Sequence, residues 1–126
     1  MNAEPLKKLE SVLSIEEVRQ AKEEIKEIFV HSCVMEYMVE IVAATRNDEN
    51  VLMGVSPRGT LALLHAAKAY AYLQGRTFVT PDDVKMLAVP VLAHRIVMGY
   101  GNLGDSKEFV KQILASTTVP TEDFKV

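Results

Sequence analysis

Residues 54–96 read GVSPRGTLALLHAAKAYAYLQGRTFVTPDDVKMLAVPVLAHRI. Two helix starts and one helix stop are written into this stretch. Ser56 is a favoured N-cap, and Pro57 occupies the first helical position, where its missing N–H costs nothing. The run 61–73 is dominated by Ala and Leu, the composition of a helix approached closely on several sides. Gly75 supplies a left-handed stop. Thr80-Pro81-Asp82-Asp83 begins the next helix with a cap, a proline and two acids in the first turn, where the helix dipole favours them. Thr77-Phe78-Val79, between the two, is expected to be a short extended piece. Pro90 falls inside the second pattern and predicts a kink or break near Val89.

The same grammar continues outward. Upstream, Ser14 and Glu17 have capping-box spacing, with Leu13 and Val18 as a staple, and Ile15, Val18, Ile25, Ile28 and Phe29 follow at helical spacing. A second helix is expected from Ser32, with Val34, Tyr37, Met38, Ile41 and Val42 as its apolar stripe. It stops before the polar cluster Asn47-Asp48-Glu49-Asn50. Downstream, 99–104 reads as a loop, and Asp105 or Ser106 starts a last helix carrying Phe109, Ile113 and Leu114. The expectation is an all-α fold, a small helical bundle of about five helices with at most one short extended segment. The bundle is expected over 14–116, between a linker at 1–13 and an irregular tail at 117–126.

Composition narrows the function. The 126 residues suit one domain. Fourteen Lys and Arg against 17 Asp and Glu leave a net charge of −3, unlike a general nucleic-acid binder. One cysteine excludes an internal disulfide and a cysteine-rich zinc module. No apolar run is long enough to span a bilayer, and MNAEPLKKLE lacks the apolar core of a secretory signal. These features fit a cytoplasmic protein.

Several patterns resemble chemistry and fail on inspection. Gly54-Val-Ser-Pro-Arg-Gly59-Thr60-Leu61 has P-loop glycine spacing, but Thr60 stands where the lysine is needed and no strand is expected before it. Gly99-Tyr-Gly101-Asn-Leu-Gly104 matches a dinucleotide fingerprint but follows a helix in a chain with almost no strand signal. His31 and Cys33 are close, yet no further Cys or His sits at zinc-ligand spacing. Cys33 reads as a small apolar group, His65 as a core-edge or interface residue, and His94 with Arg95 as a polar stop. Glu16-Glu17, Glu23-Glu24 and Asp82-Asp83 are sequence neighbours that do not face each other on a helix, and they read as solvated or first-turn acids. A helix-turn-helix over 80–95 would have its recognition helix broken by Pro90.

Arg58 breaks a rule. A cation at a helix N-terminus is unfavourable by about 0.3–1 kcal/mol. Gly59 beside it costs about 1 kcal/mol against Ala. An anion would account for both, because free backbone N–H groups with a guanidinium form a phosphate-binding corner. Pairing with a surface acid, or simple hydration, is the plainer alternative.

The chain resembles the C-terminal lid of MoxR-type AAA+ ATPases. That family shows a G-A-S-P-R segment, an Ala/Leu-rich helix, G-R-x-[YF]-V-T-P-[ED]-D-V and P-V-L-x-H-R. Here these read 54–58, 61–73, 75–84 and 90–95. Residues 13–18 resemble the approach to the lid, Ala43-Ala44-Thr45-Arg46 the end of its second helix, and Ile113-Leu114-Ala115 with Val119-Pro120 its C-terminal end. Val55 and Gly59 are small departures, at positions where Ala is common in the family, and are expected to loosen the helix start while leaving the arginine in place. The resemblance implies that Arg58 is the sensor 2 arginine, reaching ATP phosphates held by a core domain, with Ser56 and Pro57 setting the helix start that aims it. Arg46 needs no such role, since a cation near a helix C-terminus is explained by the dipole.

The resemblance implies further that 1–13 is a linker from an ATPase core. No Walker A, Walker B or arginine finger is present, so the chain alone is not expected to hydrolyse ATP or to hold ATP and Mg²⁺ tightly. The parent would be a hexameric, chaperone-like ATPase that matures or activates protein complexes. One founding case concerns methanol dehydrogenase, and proteins with von Willebrand factor A domains are frequent partners. Neither nucleic acid nor a membrane is implied. The competing expectation is a stand-alone helical protein–protein interaction module that uses no nucleotide.

Overall fold

The computed structural model describes residues 9–99, 105–121 and 123–125. Five α-helices carry the fold: α1 (Ile15–Lys26), α2 (Ser32–Arg46), α3 (Pro57–Leu73), α4 (Pro81–Leu92) and α5 (Ser106–Ser116). A 3-10 turn, Ala93–Arg95, extends α4. The all-α bundle therefore stands. Residues 1–8 of the expected linker and 100–104 of the expected glycine loop lie outside the described residues.

The expected caps are present. Ser14 and Glu17 form a reciprocal capping box on α1. The Ser56 side chain accepts from the Gly59 N–H, with Pro57 at the first helical position of α3. Thr80 and Asp83 form a second capping box. Gly75 has φ 77°, the left-handed conformation that ends α3 without a Cβ penalty.

α3 packs most extensively against α4. Ala67 and Ala71 of α3 and Ala88 of α4 are fully buried. Such small side chains let two helices approach closely, so the remaining core can be aliphatic. Val34, Tyr37, Met38 and Ile41 of α2 close one side of that core, and Phe109, Val110 and Ile113 of α5 another.

The turn joining α3 to α4 is held by charge. Arg76 donates from both terminal nitrogens to Asp83, at 2.5 Å each, and also to the Phe78 carbonyl. Asp83 is only 1% exposed. Both acids stand in the first turn of α4 as expected, Asp82 exposed and Asp83 buried. The same carboxylate accepts from the Thr80 N–H, so one buried group both caps α4 and clamps the turn. Asp83 also raises the pKa of Arg76 above the ordinary arginine value, by hydrogen bonding and charge.

Four details differ from the sequence expectation. The helical spacing of Ile28 and Phe29 does not extend α1, which stops at Lys26. Phe29 instead bridges Phe78 in parallel, donating to Thr77 and accepting from Val79, so the extended piece at 77–79 has a partner. Pro90 breaks nothing at Val89, because α4 continues to Leu92. Pro90 and Met86, the residue whose carbonyl loses its donor, are both exposed, so the missing bond falls between two exposed residues of α4. Finally, two short strands, β1 (Val51–Met53) and β2 (Val97–Met98), pair antiparallel. A strand thus does precede Gly54, and Gly99 follows β2 rather than a helix. Neither belongs to a βαβ unit, so the rejected phosphate-loop readings remain rejected on topology.

Asp83→Ala should cost about 2–4 kcal/mol, because it leaves Arg76 partly buried without a partner and removes a cap. Asp82→Ala should cost less than about 1 kcal/mol. Urea unfolding of the two variants checks the contrast.

Candidate functional site

The first turn of α3 is where the unusual residues meet. Pro57 and Arg58 are exposed, and Gly59 is buried. Arg58 makes no ion pair or side-chain hydrogen bond among the described residues. The alternative of a surface acid for Arg58 is therefore not realised, and its guanidinium is open to solvent beside the positive end of a 17-residue helix.

Two other arginines border this turn. Arg46, at the end of α2, donates from Nε to the Val55 carbonyl at 2.7 Å. Arg95, in the 3-10 turn after α4, donates from Nε to the Val91 carbonyl at 3.0 Å, and its stem lies against Gly59. The ion pairs of the described residues are Arg19–Glu16, Lys26–Glu23, Arg76–Asp83 and Lys111–Glu108. None involves Arg46, Arg58 or Arg95. Three guanidinium groups thus border one helix N-terminus with no acid among their partners in the described residues. That arrangement suits a negatively charged group brought from outside.

The segment leading into α3 is fastened to α2. The Val55 N–H donates to Thr45 Oγ1 at 3.0 Å, and that hydroxyl donates to the Val42 carbonyl at 2.6 Å. Thr45 and Val55 are both essentially inaccessible. Gly54 lies so close to α2 that a Cβ there would sit 2.7 Å from the Thr45 carbonyl oxygen and 2.9 Å from Arg46 Cα. Only glycine fits against that backbone. The glycine of the S-P-R segment therefore serves close approach, not phosphate cradling.

Gly59 has a different cause. A Cβ there would meet Val55 Cγ1 at 2.5 Å and Arg95 Cδ at 3.1 Å. The two positions expected to loosen the helix start are one packing solution: the larger Val55 fills the space that residue 59 gives up. Beside them, Val39, Val42, Arg46, Pro57, Thr60 and Leu61 line an open groove. Val39 and Leu61 stay 55% and 54% exposed, so the groove is apolar and uncovered.

The remaining candidates do not join this site. His65 is exposed on α3, and His94 is exposed in the 3-10 turn. Cys33 is half-buried against the core, and the His31 side chain caps α2. No cluster of His, Cys, Asp or Glu suited to a metal occurs among the described residues. No described helix is long and apolar enough to cross a membrane. Sequence reading missed the Arg46–Val55 and Arg95–Gly59 contacts, for which spacing along the chain gives no signal.

The fold and this helix start define a lid of the AAA type. The family described as AAA lid domain matches residues 43–115, and the chain belongs to it. YeaC of Bacillus subtilis, a protein of uncharacterized activity, is 36% identical over 121 residues, covering 94% of this chain and 38% of its own length. The chaperone MoxR1 of Mycobacterium tuberculosis is 34% identical over 121 residues, covering 86% of this chain and 32% of its own. A crystal structure from Cytophaga hutchinsonii, of a protein classed provisionally as an ATPase, superposes with a TM-score of 0.82 at 23% identity. It covers 94% of this chain and 42% of that one, and shows the shared fold. The chain thus spans well under half the length of each of these relatives.

Gly59→Ala should destabilise the chain by about 1–3 kcal/mol despite the better helix propensity of alanine. Val55→Ala should cost about 2 kcal/mol through lost buried methyl groups. The double variant should be more stable than the sum of the two by at least about 1 kcal/mol. Chemical denaturation of all four proteins measures the coupling, and strict additivity would contradict the shared packing.

Proposed function

We propose that this chain is the lid of a MoxR-type AAA+ ATPase, closing over ATP held by a core domain and supplying Arg58 as the sensor 2 arginine. The observation that carries this reading is Arg58 itself: an exposed guanidinium with no protein partner among the described residues, in the first turn of a capped helix. Ser56 and Pro57 define where that turn begins, and so where Arg58 projects. On closure, the groove beside Arg58, with Val39 and Leu61, would be covered along with the phosphates.

ATP and Mg²⁺ would be bound by the core, and the lid's share of the chemistry is electrostatic. An arginine placed on the phosphoryl oxygens stabilises negative charge as it is redistributed during transfer, most strongly where water is excluded. Among the described residues Arg58 has no ion pair to break in doing this. The parent protein would be a hexameric, chaperone-like machine of the cytoplasm, acting on other protein complexes with partners that carry von Willebrand factor A domains. The chaperone name of MoxR1 supports that part of the reading.

With the lid joined to its ATPase core, Arg58→Ala should lower ATP turnover by roughly 10²–10³-fold, the loss typical of one preorganised charge contact. Thermal stability should hardly change, because the side chain is exposed and has no ion pair among the described residues. Turnover equal to that of the parent protein would rule out the sensor role.

A further inference from the structure

We propose that Arg46 is a positioning residue for Arg58: it holds the Val55 carbonyl, and through it the first turn of α3, in the orientation that presents Arg58 to phosphate. This rests on the reading of Arg58 above.

The helix dipole does not explain what Arg46 does. A cation that only complements its own helix C-terminus would lie over the last carbonyls of α2. Arg46 instead reaches nine residues ahead, and its Nε donates to Val55 at 2.7 Å. Val55 directly precedes the N-cap Ser56 and lies three residues before Arg58. Its N–H is already taken by Thr45 Oγ1, so both polar groups of this buried residue are tied to neighbouring residues of α2. The stem of Arg46 adds a third restraint. Its Cγ packs where a Cβ on Gly54 would be, at 2.8 Å. Together these contacts allow the backbone just before the cap little rotation. Rotation there would shift the Ser56 cap and the start of the helix that carries Arg58, whose own side chain makes no hydrogen bond or ion pair among the described residues. Arg46 has no ion-pair partner among the described residues to compete for the guanidinium.

Arg46→Met separates the hold from the packing. It keeps an apolar stem over Gly54 and removes the donor. In the chain as it stands, amide hydrogen exchange at Val55, Gly59 and Thr60 should accelerate several-fold more than at Val34, Ile41 and Val110 of the distant core, which shift only with global stability. Unchanged exchange at these amides would overturn the positioning role, whatever Arg58 does. With the ATPase core attached, Arg46→Met should lower ATP turnover roughly 10- to 100-fold, the scale of a misplaced contact. It should cause no further loss in an Arg58→Ala background. Equal losses in both backgrounds would overturn the proposal, since Arg46 would then act independently of Arg58. If Arg58→Ala alone costs nothing, the phosphate reading falls, and the purpose assigned to Arg46 falls with it.

Discussion

Everything in this fold hangs on how closely α3 can lie against its neighbours. Ala67, Ala71 and Ala88 bring α3 against α4, and Gly54 brings the segment before α3 against the end of α2. Larger side chains at any of these places would hold the backbones apart. The tightness has an electrostatic counterpart at each end of α3. At its C-terminal end, Arg76 and Asp83 lock the turn into α4. At its N-terminal end, Thr45 and Arg46 lock the segment that leads into it. α3 is thereby a rigid strut between two fixed points, and Arg58 is carried at one tip. For the sensor role proposed for Arg58 that rigidity matters, since the position of one side chain must then follow the position of the whole domain.

The distribution of charge fits the same purpose. The arginine at the α4 turn is consumed by a buried partner, whereas those around the N-terminus of α3 are not. Among the described residues, Arg46 and Arg95 each give Nε to a backbone carbonyl, and Arg58 makes no side-chain hydrogen bond. An ordinary surface scatters acids among such groups, because unopposed cations beside the positive end of a helix repel. Among the described residues none of the three forms an ion pair, in a chain with net charge −3.

Much of the scaffold was legible because it depends on local chemistry. The capping boxes at Ser14 and Thr80, Ser56-Pro57 at the start of α3, and Gly75 at its end each act within a few residues, and each stands where the spacing placed it. Arg58 stood out for the same reason, as a conflict between one residue and its own helix. What escaped depends on contacts between distant segments. Strands of three and two residues are too short to show a period, so β1 and β2 left no trace. Pro90 looked like a breaker because only the tertiary fold shows that its face of α4 is wet. Asp83 looked like its neighbour Asp82 until the turn folded Arg76 over it. Val55 and Gly59 looked like two unrelated departures, and a contact between a valine methyl and an absent Cβ joins them.

The central claim is that lid closure puts Arg58 on the phosphates. A structure of this lid joined to its ATPase core, with a non-hydrolysable ATP analogue and Mg²⁺ bound, tests it most directly. The account predicts Arg58 guanidinium nitrogens at about 2.7–2.9 Å from phosphate oxygens, the range of a charge-assisted hydrogen bond. Arg58 still in solvent over a closed, nucleotide-filled site would contradict it.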